Sequence, residues 1–285
     1  MRYSCFLLFL MFVGCLSSPK QQEESSQIAS DTVVEAKEQR YFSKNVENEL
    51  LLRKAMVDAL QKIADSFHGE DWEYTYDFDK GEGDIPHIRV EIKVQKYFEE
   101  TYYAVIYASD YVNTLARLYR IDHDVMQEKL SEYFPWMTVP SDTIFDANGD
   151  KVKDFALRFY PSSGCCRRDI YYLYLSPEKK EGQLSYIELI NPTFYPKEHL
   201  IRGIGYGRPG HVALYKYRWR GEVLDTLEYI LPDVATKGKT FLKGRNLYGF
   251  TKEKEIRLTK LPEEYQTVIG LDYFLDYTAE DFNND

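Results

Sequence analysis

The chain has 285 residues, a formal net charge of −10, 25 Tyr and 16 Phe, but only 4 Cys. An acidic surface repels nucleic acid and anionic lipid headgroups, which excludes those partners and favours basic ones. Cys5 and Cys15 fall in the first fifteen residues and Cys165 and Cys166 are adjacent, so there is no disulfide framework and the fold must stand on a hydrophobic core.

The chain opens on MRYSCFLLFLMFVGC: a cation at Arg2, an apolar run from Cys5 to Val13, then Gly14 and Cys15. This reads as a secretory signal, since the run is far short of the ~18 residues that cross a bilayer as a helix. The segment FVGC resembles a bacterial lipobox, in which the cysteine becomes the new N-terminus and carries lipid. Residues 1–15 are accordingly a lipoprotein signal peptide with Cys15 as the lipidation site, and the expected address is the cell envelope, periplasmic or at the outer-membrane surface. Residues 16–40 are rich in Ser, Gln and Glu, without aromatics, and read as a polar tether.

From Asn48 to Phe67 the residues Leu52, Met56, Leu60, Ile63 and Phe67 share one face at helical spacing, which predicts an amphipathic helix. The period then drops to two. WEYTYDF and IRVEIKV alternate apolar and polar residues on either side of KGEGD, the pattern of a β-hairpin. TYYAVIYA and NTLARLYRI continue as strands, whereas HDVMQEKLSEYF suggests a short helix, with Asp122, His123 and Asp124 at its solvated start. Pro140 is the best boundary, dividing a helix-plus-hairpin region (41–140) from a second β region (141–285).

Beyond it, VKDFALRFY, DIYYLYL, LSYIELI, HLIRGIG, HVALYKYRW and EVLDTLEYI read as strands separated by short turns, and the following tail adds more. With no helices between them, the fold class is mainly β: an antiparallel meander, sandwich-, barrel- or propeller-like, with an N-terminal helix.

Within the second region, DTIFDANGDKVKDFALRF places side-chain oxygens at Asp146, Asn148 and Asp150, the carbonyl of Val152 at the seventh position and Asp154 at the ninth. Calcium wants six to eight oxygen ligands, and a loop with oxygens at alternate positions can wrap the ion. The loop departs from the EF-hand at Lys151, where Gly makes the sharp turn, and at Leu157, where a chelating Glu is usual. The other reading is a surface turn, which Asp, Asn and Gly favour without metal. Ca2+ is the only cofactor the chain suggests.

The D-x-N-x-D-x-x-x-D loop followed by a strand resembles the calcium loops of FG-GAP-type extracellular β proteins. The lipobox, DANGDKVKDFALRF, DIYYLYL and GIGYGRPGHVALYKYRWRGEVLDTLEYI together resemble a family of calcium-binding envelope lipoproteins of Gram-negative bacteria. Some members inhibit lysozyme-type peptidoglycan hydrolases, so the resemblance, which covers about Ser141 to Leu231, implies a protein-binding role. It assigns no inhibitory residue.

GYGRPG, Gly205 to Gly210, matches a dinucleotide fingerprint in letters only, because a strand pattern follows where a phosphate-binding helix is required. As an exposed loop it offers Tyr206, Arg208 and His211 as partner-binding residues. No nucleophile elbow or close histidine metal spacing is present, so no catalytic residue is named. The alternatives are a glycan-processing hydrolase, whose carboxylate pair leaves no spacing signature, and a structural calcium-stabilised surface protein.

Overall fold

A computed structural model describes residues 46–79, 87–98, 100–123, 125–162, 166–245 and 255–276. The signal segment with Cys15, the tether, the first hairpin turn, Asp124, Cys165 and the terminal TAEDFNND lie outside the described residues. The amphipathic stretch forms helix α1 (46–66). Three antiparallel meanders follow, every strand pairing with its sequence neighbour. Sheet one holds β1 (Trp72–Asp79), β2 (Ile88–Gln95), β3 (Tyr102–Ser109), β4 (Thr114–Asp122) and β5 (Val125–Phe134). Sheet two holds β6 (Ser141–Phe145), β7 (Asp154–Phe159), β8 (Ile170–Tyr174) and β9 (Ile187–Ile190). Sheet three holds β10 (Pro192–Tyr195), β11 (Leu200–Ile204), β12 (Leu214–Arg220), β13 (Val223–Pro232), β14 (Phe241–Gly244) and β15 (Ile256–Leu258), and a short helix α2 (Leu271–Leu275) comes last. Pro140 lies between the first two sheets.

Alternation along the strands sorts the core into layers. Ala104, Ile106 and Ala108 face Leu52, Met56, Ala59 and Ile63 of α1. Their neighbours Tyr103, Val105 and Tyr107 point the other way, onto Phe155, Leu157 and Phe159 of β7. The reverse face of sheet two carries Ala156, Leu173 and Leu189 against Ile201, Tyr215 and Trp219 of sheet three. Sheet three in turn packs Ile204, Leu214 and Ile230 on Leu261, Tyr265, Val268 and Phe274. Sheet two is thus covered on both faces, and β7 is buried at every position except Arg158.

The helix expected over HDVMQEKLSEYF is instead β5, and His123 sits in the β4–β5 hairpin turn with φ 54. A β-bulge explains the misreading. Leu118 pairs with Leu130 but the next residue, Tyr119, pairs with Glu128, so Lys129 is the extra residue. Met126, Leu130 and Phe134 are four apart, as on a helix, yet the bulge reverses the phase between them. Met126 packs on the α1 side, Leu130 and Phe134 on the sheet-two side.

Candidate functional site

The Asp/Asn loop joins β6 to β7, whose last register pair is Phe145 with Asp154. Its side chains cap its own backbone. Asp146 accepts Gly149 N–H at 2.6 Å and Lys151 N–H at 3.0 Å, Asn148 accepts Asp150 N–H at 3.0 Å, and Asp150 accepts Val152 N–H at 2.8 Å. Lys151 adopts φ 68, so the sharp turn usually given to Gly is made here by Lys. Gly149, at φ +83, packs so closely that a Cβ would stand 2.1 Å from the Pro196 carbonyl. His199 also anchors the loop: its Nδ1 lies 2.7 Å from the Asn148 carbonyl and, since a carbonyl only accepts, must carry the proton.

Asp154 is fully buried and accepts Ala147 N–H and Ser176 N–H, each at 2.9 Å. Burial pushes its carboxyl up to about 6, the two N–H groups opposing and Asp150 and Asp146 adding to the rise. The donor set suits a hard cation: Asp146, Asn148, Asp150 and Asp154 side chains with the Val152 carbonyl, all oxygen. Each engaged oxygen keeps a second lone pair. Among the described residues no three His, Cys, Asp or Glu side chains are already gathered to hold an ion, so an ion entering the loop would have to draw Asp146 and Asp150 toward the fixed Asp154.

A second feature lies at the opposite end of the β6–β7 hairpin. The turn between β3 and β4 is clamped by Asp110, which is buried and accepts Val112 N–H at 3.0 Å, Asn113 N–H at 2.6 Å and the Asn113 side-chain amide at 3.2 Å. This holds Tyr111 at φ 70 and leaves it exposed. Met137 N–H donates to the Val112 carbonyl at 2.6 Å and so joins this turn to the next. There Thr138 N–H reaches the Pro135 carbonyl at 3.3 Å, with Trp136 and Met137 at φ 60 and 56. Two positive φ values at the central positions are what a type I′ turn demands, and Asn-Gly is the usual solution. Trp136 and Met137 nevertheless remain 61% and 66% exposed.

Val139 and Tyr160, also exposed, carry this apolar face to the wall of an open cavity of about 650 Å³. Val139, Ser141, Phe159, Tyr160 and Tyr273 line it together with Arg158, Arg167 and Asp169. Arg158 grips Asp169 with Nε at 2.9 and 3.1 Å and Nη2 at 2.8 Å. Asp169 is the one carboxylate on the cavity wall among the described residues.

The glycine loop borders the same region. Tyr273 donates its hydroxyl to the Gly207 carbonyl at 2.7 Å and accepts Arg167 N–H at 3.4 Å. Tyr206 is exposed beneath the Arg168 guanidinium, 5.0 Å from the ring centre, Arg208 is exposed and His211 half-buried. Strand β12 follows the loop, as expected for a connection and not for a dinucleotide site. The sequence pointed to Tyr206, Arg208 and His211 as candidates and did not point to Tyr111, Trp136, Met137, Val139 or Tyr160. The available signal was FPWMTVP, an apolar pair between two prolines that fits neither helical nor strand period. Comparison with protein-family models, curated proteins and solved structures finds no match.

Proposed function

We propose that this is an exported, lipid-anchored, calcium-binding envelope protein that acts by gripping a partner protein, and that the partner is a lysozyme-type peptidoglycan hydrolase whose activity it blocks. The observation that carries the binding role is the Pro135–Thr138 turn. Left-handed backbone at a bulky residue costs roughly 1–3 kcal/mol and persists where function needs it. Trp136 and Met137 are largely exposed, so packing in the free chain recovers little of that cost. Burial against a partner would recover it, and Trp, Tyr and Met are the side chains that anchor interfaces.

Tyr111, Val139 and Tyr160 extend the apolar contact, and Tyr206, Arg208 and His211 offer polar contacts from the loop across the cavity. The hydrolase assignment is supported by the family resemblance, the signal with its lipobox at Cys15, and a net charge of −10, which speeds encounter with a basic enzyme. Calcium at Asp146, Asn148, Asp150, Val152 and Asp154 has a structural role in this reading. Purified protein is titrated against several lysozyme-type enzymes digesting cell walls. Inhibition is expected, weakened about thirtyfold by Trp136→Ala if that side chain supplies ~2 kcal/mol. No inhibition at micromolar excess, inhibition indifferent to Trp136→Ala, or wall hydrolysis by the protein itself overturns the reading.

A further inference from the structure

The cavity wall contains a cation that no carboxylate among the described residues neutralises. Arg158 is committed to Asp169 through three hydrogen bonds. Arg167 is half-buried, and among the described residues no carboxylate lies within ion-pair distance of its guanidinium. Its backbone is nonetheless anchored. The backbone is pinned on both sides, N–H to the Tyr273 hydroxyl at 3.4 Å and carbonyl to the Asn191 amide at 3.0 Å. The guanidinium lies over Gly270, where a Cβ would come within 2.9 Å of Nε and 3.1 Å of Cζ. In a chain with ten more acids than bases, an arginine seated this way on a cavity and left without an anion is an incomplete pair.

We propose that the cavity binds a small organic monocarboxylate, with the Arg167 guanidinium receiving the carboxylate and the Val139, Phe159, Tyr160 and Tyr273 walls holding the apolar body attached to it. A planar guanidinium matches a carboxylate with two parallel N–H···O bonds. Charge selects the monoanion over phosphate. Arg158 and Asp169 cancel, so one positive charge faces the ligand, and the Asp169 carboxylate repels a second negative charge. A volume of about 650 Å³ lies within the range of small-molecule sites and admits a ligand with one ring or a short chain with room to spare. The site shares Val139 and Tyr160 with the apolar face of the Trp136 turn but takes no contact from Trp136 itself, and it does not rest on the hydrolase reading.

The test uses the full-length chain and N-benzoylglycine, which has one carboxylate on an aromatic amide, with N-benzoylglycinamide and inorganic phosphate as controls. Binding is followed by calorimetry and by the arginine Nε–H and tyrosine ring resonances. The acid should saturate and shift the Arg167 Nε–H signal, while the amide and phosphate bind at least about tenfold more weakly. Arg167→Met should abolish acid binding, and Arg167→Lys, which keeps the charge but loses the fork, should weaken it severalfold, with melting curves confirming that both fold. Trp136→Ala should leave it unchanged, so failure here and failure of hydrolase inhibition are distinct results. No binding of the acid at millimolar concentration, equal binding of acid and amide, phosphate binding as tightly as the acid, or full affinity in Arg167→Met overturns the assignment.

Discussion

The strain in the Pro135–Thr138 turn can be measured by replacing its central pair in two ways. Changing Trp136 and Met137 both to Ala removes the exposed side chains but keeps a Cβ at φ 60 and 56. Changing Trp136→Asn and Met137→Gly removes the same side chains and installs the pair that such a turn prefers. Left-handed backbone costs about 1–2 kcal/mol for an ordinary L-residue. Gly relieves this but loses ~0.5–1 kcal/mol to its greater freedom in the unfolded chain. The Asn-Gly variant should therefore be more stable than the Ala-Ala variant by about 2 kcal/mol, or about 4–8 °C in melting temperature for a domain of this size. The comparison cancels the contacts that Trp136 and Met137 make with their neighbours, since both variants lose them. Urea unfolding and scanning calorimetry provide the readout, and surface plasmon resonance against any hydrolase that the titration finds inhibited provides the binding arm. Both variants should dissociate faster from the partner. Equal stabilities would show that the turn stores no strain, and its backbone would then be no sign of a binding role.

Calcium should raise the melting temperature, by about 2.7 kcal/mol of stability at one hundred times Kd, and Asp146→Ala with Asp150→Ala should remove the shift, as read in calcium against chelator. The pH dependence has opposite signs with and without the ion. In chelator, the Asp154 carboxyl is raised in the fold from 3.8 to about 6, so the native state holds its proton longer than the unfolded chain does. Asp154 then costs stability as pH rises from about 4 to about 6, by about 3 kcal/mol, and Asp154→Asn should flatten that slope. Calcium stabilisation needs the ionised carboxylate and should instead fade as pH falls through about 6; an ion effect unchanged at pH 5 would remove Asp154 from the ligand set. Cys15→Ser should move the protein from the membrane fraction to the soluble fraction, and a processed mutant that stays membrane-bound would refute the anchor.

The strands that were legible are those whose alternation runs unbroken. β2 buries Ile88, Val90, Ile92 and Val94 and turns Arg89 outward, as its period-two pattern requires. Where a bulge shifts the phase, as at Lys129, a spacing of four imitates a helix and no local rule distinguishes the two. The Asp/Asn loop was legible because all its donors come from one short segment. The cavity was not, because Val139, Tyr160, Arg167 and Tyr273 come from four separate segments and meet only when sheet two is in place. The turn was hidden for another reason: Trp-Met contradicts the residue preference of the backbone it adopts, and reasoning from preference cannot predict its own exception.

The two candidate sites sit at opposite ends of one hairpin, and this constrains what an ion could do. Register runs from Phe145 with Asp154 at the loop to Ser141 with Arg158 at the cavity. At ~3.4 Å per residue the five residues of β6 set the ends about 14 Å apart, too far for a bound cation to touch anything in the cavity. Its influence would have to pass through register. A slip of one residue would turn Phe155, Leu157 and Phe159 away from sheet one and carry Arg158 out of reach of Asp169. An ion closing the loop would oppose that slip, as His199 on the Asn148 carbonyl and Pro196 against Gly149 already do from the β10–β11 turn of sheet three. Removing calcium should therefore loosen the loop first and weaken ligand binding at Arg167 only as the β6–β7 pairing frays, without changing which ligand is preferred.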